Sequence, residues 1–128
     1  MKQVSNRQQS DQIAFGRKVR EARNQKGFTL RDAANLLGIS FTYLSKLETA
    51  ATNPPSETLI LSIAELFQID QDNLFGIARK VQTEISEIIF LAHVPSILRQ
   101  IKQMTAVERQ SLILELQNKT QNLESKPI

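Results

Sequence analysis

The chain has 128 residues, of which 41% are hydrophobic and 23% charged, with no cysteine. That length allows one ordinary domain, or a small helical domain carrying an appendage. The absence of cysteine excludes a disulfide framework and thiolate metal sites and fits a reducing, cytoplasmic location, while the polar start MKQVSNRQQSDQ and the lack of a run of ~18 apolar residues argue against a secretory signal or a membrane span.

The net charge of +3 is unevenly spread. Residues 1–31 hold eight basic and two acidic side chains, whereas residues 32–128 hold eight basic and eleven acidic ones. A basic N-terminal part points toward a polyanionic partner. Residues 1–10, with Arg7, are expected to form a flexible basic arm.

Apolar residues then recur at helical spacing, and the alternation of a strand is almost absent. Ile13, Val19 and Ala22 make a first stripe, which stops at Gly27, a residue suited to a left-handed cap. Thr29 can cap a second helix, with Asp32 three residues on, ahead of Ala33, Leu36 and Leu37. Gly38 breaks it, and Ser40 can cap a third helix that buries Leu44 and Leu47 and runs to about Glu48.

TAATNPPS reads as a loop, because Pro54 and Pro55 cannot continue a helix. Ser56 can cap a fourth helix with Leu59, Ile60, Ile63, Ala64 and Phe67 on its apolar face. Asp70 starts a short fifth one holding Leu74 and Phe75 and ending near Gly76. Leu36, Leu37, Leu44, Leu47, Ile63 and Phe67 are the expected core.

Two or three helices follow in residues 79–128. Val81, Ile85, Ile88, Ile89 and Ala92 form one stripe; a helix from Ser96 carries Ile97, Leu98, Ile101 and Met104. Thr105-Ala-Val-Glu108 is a capping box opening a last helix with Val107, Leu112, Ile113, Leu114 and Leu116, and a disordered tail is expected beyond. Leu112 and Leu114 cannot share one face with all the others, so this helix is apolar over a wide arc. Ile85, Ile88, Ile89, Ile97, Leu98, Ile101, Leu112, Ile113 and Leu116 exceed what short helices can shelter alone and are expected to join two copies of the chain.

The segment TLRDAANLLGISFTYLSKLE has the form of a helix, a tight turn at Gly38 and a second helix with polar side chains crowded at its start. With the series Arg23, Gly27, Thr29, Ala33, Gly38, Ser40, Tyr43-Leu44-Ser45-Lys46-Leu47-Glu48, Pro54 and Ser56, residues 13–78 resemble the DNA-binding domain of the phage repressor and Cro family of transcriptional regulators. The resemblance implies an all-α, five-helix DNA-binding domain over residues 11–78, followed by a small helical dimerisation region. It also implies an ion pair between Arg23 and Glu48. The family has glycine two residues after that glutamate, where this chain has Ala50, so its loop is expected to leave the helix by another route.

The resemblance implies a sequence-specific regulator, a repressor, that binds a palindromic double-stranded operator as a homodimer. Phe41, Thr42, Ser45 and Lys46 are then the candidates to read bases: Lys46 can donate to guanine O6 and N7, Thr42 offers a hydroxyl and a methyl, and Phe41 can lie against a thymine methyl. Thr29, Ser40 and Tyr43 have hydroxyls suited to phosphate oxygens, and Arg17, Lys18 and Arg20 supply electrostatic contacts.

His93 has no second histidine or cysteine with which to build a metal shell. No cofactor and no enzymatic chemistry are expected. Two alternatives remain. One is an antitoxin or anti-repressor module whose C-terminal helices hold a partner protein. The other is a stress-response repressor cut by a protease at the break His93-Val-Pro-Ser96.

Overall fold

In a computed structural model, residues 6–125 are described and form eight α-helices without a strand. They are α1 (Asn6–Gln25), α2 (Leu30–Leu37), α3 (Phe41–Glu48), α4 (Glu57–Phe67), α5 (Gln71–Ala78), α6 (Thr83–Ile89), α7 (Val94–Gln103) and α8 (Ala106–Ser125). The chain divides into two compact units between Gln82 and Thr83. Residues 1–5 of the expected arm and 126–128 of the expected tail lie outside the described residues. Residues 6–10, expected to belong to the flexible arm, are a helical part of α1, and α8 runs on to Ser125.

The first unit closes one core. Its helices are started by side chains that accept from the otherwise unpaired amide three residues on: Thr29 from Asp32, Ser40 from Tyr43, Ser56 from Leu59 and Asp70 from Asn73. Phe15, Val19, Ala33, Leu44, Ile60, Ile63 and Leu74 are almost fully buried, and the rings of Phe28 and Phe67 meet at 6.0 Å between centroids. Leu36, expected in the core, is 62% exposed, and Ile13 is 49% exposed. Phe15 takes the place in the core that the stripe through Ile13 had suggested.

Helix ends depart from the expectations in one consistent way. Gly38 caps α2 with φ +70°, and Gly27 after α1 has φ +76°. Gly76, however, lies inside α5, whose left-handed cap is Arg79 at φ +57°. Gln68 closes α4 at φ +56°. Hydrogen bonds from the amides of Ile69 to the Ala64 carbonyl and of Lys80 to the Phe75 carbonyl hold these two ends, so the surrounding ladder rather than glycine imposes the conformation.

In the second unit α7 begins at Val94, before Pro95, rather than at Ser96. Proline is acceptable there because the first amides of a helix have no intrahelical partner. The expected break at 93–96 therefore moves to the turn at 90–93, where His93 has φ +74°. The α7–α8 turn is held twice. Thr105 and Glu108 exchange hydrogen bonds of 3.2 Å each, and the Arg109 guanidinium donates to the carbonyls of Ile101 and Lys102, both at 3.0 Å. The Thr105 amide, and then its hydroxyl exchange, hold the Glu108 carboxyl below its usual range. No side chain of residues 83–123 is buried.

Gly16 sets how closely α1 approaches α3. A Cβ there would stand 2.5 Å from the Leu47 carbonyl oxygen and 2.6 Å from that of Glu48, both backbone atoms that cannot swing aside. Gly16→Ala should therefore lower stability by ~1–3 kcal/mol, the range of overpacked cores, despite alanine's better helix propensity. Urea unfolding checks this, and an unchanged midpoint would mean that the two helices are not packed this tightly.

Candidate nucleic-acid interface

α3 has eight residues, and its periodicity decides which of them leave the domain surface. Leu44 and Leu47 point into the core, at 0% and 2% exposed. Thr42, Ser45, Lys46 and Thr49 follow the i, i+3, i+4, i+7 spacing of one face, opposite those leucines. Thr42, Lys46 and Thr49 are exposed and Ser45 is half-buried. Phe41 and Tyr43 stand on the two flanks: Phe41 is 45% exposed, while Tyr43 packs partly against the core.

The outer face is polar, continuous and free of acidic side chains. The one carboxylate of α3, Glu48, is turned inward and neutralised. Arg23 meets it in a two-pronged contact, Nε to Oε2 at 2.7 Å and Nη2 to Oε1 at 3.0 Å, while Nη1 donates to the Phe28 carbonyl at 2.7 Å. Only 10% of the arginine side chain and 4% of the glutamate side chain reach solvent. This forked geometry, unlike a lysine pair, fixes direction as well as distance. It ties the end of α1, the turn at Phe28 and the end of α3 together.

The loop after α3 overturns one expectation. Ala50 does adopt the left-handed conformation, φ +61°, in place of another route out of the helix. The amides of Ala50 and Ala51 bond the carbonyls of Leu47 and Lys46, at 3.4 and 2.9 Å, which is the six-residue helix stop that glycine ordinarily makes. Further along, Gln12 donates to the Asn53 side chain at 2.6 Å and Lys80 to the Pro55 carbonyl at 2.5 Å. The loop is thus pinned from both α1 and the end of α5.

The hydroxyls of Thr29 and Ser40, candidates for phosphate contacts, are exposed but accept their helix-capping amides. A hydroxyl can donate outward while accepting at a cap, so both roles are compatible. Arg17 and Arg20, three residues apart on α1, line depressions against Thr49, the first with Ala50 and the second also with Ser45. Lys18 lies about 100° further round α1 and lines neither. Spacing alone would have paired Arg20 with Arg17 and Thr49 with Ser45. The clamp on Asn53 and Pro55 had no sequence signal, because its partners lie 25 or more residues away.

Neither a cluster of three or more potential metal ligands nor a helix long and apolar enough to cross a membrane occurs among the described residues. The helix-turn-helix domain family matches residues 14–74. Over 76 residues the chain is 30% identical to the HTH-type transcriptional regulator ImmR of Bacillus subtilis (strain 168), covering 57% of this chain and 59% of that protein. Over 57 residues it is 42% identical to the HTH-type transcriptional regulator DdrOP3 of Deinococcus deserti, covering 44% and 43%. The chain thus spans about half the length of these curated relatives.

Three variants test the frame of this surface. Ala50→Gly should raise stability by ~1 kcal/mol by relieving the left-handed strain, and no gain in a thermal melt would contradict that strain. Glu48→Ala should cost ~3–5 kcal/mol because it strands the Arg23 charge, and Arg23→Met combined with Glu48→Leu should cost less than the single change. A single variant as stable as the parent would show the pair to be solvated.

Proposed function

We propose that this chain, whose residues 14–74 match the helix-turn-helix domain family and which is similar to HTH-type transcriptional regulators, is a sequence-specific DNA-binding repressor acting on a palindromic operator as a homodimer. The observation that supports it best is the outer face of α3, a row of hydroxyls and one lysine with its only carboxylate buried beneath. Such a face can enter the ~12 Å major groove without a like-charge penalty from phosphates. On this reading Phe41, Thr42, Ser45 and Lys46 meet base edges. Arg17, Lys18, Thr29, Ser40 and Tyr43 meet phosphates, and a twofold dimer sets half-sites about one turn, ~34 Å, apart or a multiple of that.

Dimerisation belongs to the second unit. Ile85, Ile88, Ile97, Leu98, Ile113 and Leu116 are each 44% to 53% exposed, and Ile89, Ile101 and Leu112 are half-buried at best. Helices with this much uncovered apolar surface require cover, and a second copy supplies it symmetrically. The same observation favours a second reading, an antitoxin or anti-repressor module in which a different protein takes that place. A regulatory protease would find its accessible bonds in the turn at 90–93.

Site selection from random DNA, followed by titration, tests the proposal. Lys46→Ala should lose ~1–3 kcal/mol on the selected site and relax preference at one base pair per half-site. Arg17→Ala should weaken specific and random DNA alike and reduce the salt slope by about one. In the full chain, Ile88→Glu with Leu98→Glu should give a monomer by light scattering, with an affinity for two half-sites lowered by orders of magnitude. A chain that stays dimeric and binds as tightly would move the interaction-module reading ahead.

A further inference from the structure

Arg31 holds the first aromatic of the recognition helix from outside that helix. It is the second residue of α2, exposed, and its guanidinium carbon lies 5.5 Å from the centre of the Phe41 ring. Among the described residues it makes no ion pair. Its position does not serve α2, since a cation in the first turn opposes the helix dipole. Its guanidinium lies over the Phe41 ring, and that contact joins the two helices of the motif at the end where α3 begins.

We propose that Arg31 is a specificity-determining residue, acting through Phe41 to read the 5-methyl group of a thymine; this rests on the DNA-binding reading given above. Phe41 stands on the flank of α3, not on the face carrying Thr42, Ser45 and Lys46, so an unsupported ring would have several rotamers open to it. The guanidinium closes one side of the ring and leaves the remainder for an apolar contact in the major groove, where the thymine methyl is the apolar feature on offer. A cation–aromatic contact strengthens when water is removed from it. Docking on DNA removes that water, so the stack contributes more to the bound state than to the free one. Arginine suits this role because its plane is weakly hydrated and lies flat on a ring, whereas lysine brings a hydrated point charge.

The experiment uses the full chain and the operator selected from random DNA, with each thymine replaced in turn by uracil, which lacks only the methyl. The parent should lose about fivefold in affinity at one thymine per half-site. Arg31→Lys keeps the charge, so its salt slope should match the parent's while its thymine-to-uracil ratio falls below about twofold. Arg31→Ala should show the same small ratio, and thermal melts close to the parent's would place the effect in recognition rather than folding. No uracil-sensitive thymine, or an undiminished ratio in Arg31→Lys, overturns the inference. Failure of the protein to select any sequence over random DNA would instead overturn the DNA-binding reading, and this inference with it.

Discussion

The buried contact between Arg23 and Glu48 is the constraint from which the rest of the first unit takes its geometry. Three segments converge on one guanidinium: the end of α1, the Phe28 carbonyl that starts the turn to α2, and the last residue of α3. Burying both charges is costly unless every donor and acceptor is matched. Here both carboxylate oxygens and all three guanidinium nitrogens have partners, and among the described residues no buried side-chain polar atom is left without one. The contact therefore contributes direction more than raw stability. It decides the angle at which α3 leaves the core, and with it which of its faces is outward.

Gly16 acts on the same junction from the other side. The absence of its Cβ lets the backbone of α1 come within contact distance of the Leu47 and Glu48 carbonyls, the very residues whose neighbours form the left-handed stop at Ala50. An ion pair sets where α3 ends, and a missing methyl sets how close it lies. The clamps from Gln12 and Lys80 then carry that order into the loop at Asn53 and Pro55. Rigid placement of this kind is what the proposed reading of bases by α3 requires, because base-edge hydrogen bonds discriminate only when their donors are held in place.

Much of this was legible in the sequence where the signal is local. The caps at Thr29, Ser40, Ser56 and Asp70 are chemistry between residues three apart, and the capping box at Thr105 and Glu108 is of the same kind. Periodicity was less sufficient at the margins of helices. Leu36 fits its stripe yet stays exposed, while Ala33 and Ala34 are the residues that eight-residue α2 buries. Ala50, Gln68, Arg79 and His93 all take positive φ without being glycine. Residue type alone predicts against each; at Ala50, Gln68 and Arg79 the conformation is held by a helix-stop hydrogen bond from the following amide to a carbonyl five residues back. Long-range clamps and the stack of Arg31 on Phe41 depend on how helices cross, which no single stretch records.

The two units also place their apolar surface differently, and that difference bears on how each can act. The first unit buries fifteen hydrophobic side chains within one copy. The second has fixed turns, through Arg109 and the Thr105–Glu108 exchange, but no buried side chain among residues 83–123. Helices with stable caps and uncovered apolar faces are ordered locally while their largest favourable term, the removal of apolar surface from water, is still to be realised. Whatever covers them, a second copy on the proposed reading, stabilises the second unit by mass action. On the proposed reading, association through the second unit and base reading by α3 are separate energetic steps, so a change in the cover would alter how many copies of α3 reach one operator rather than what each of them reads.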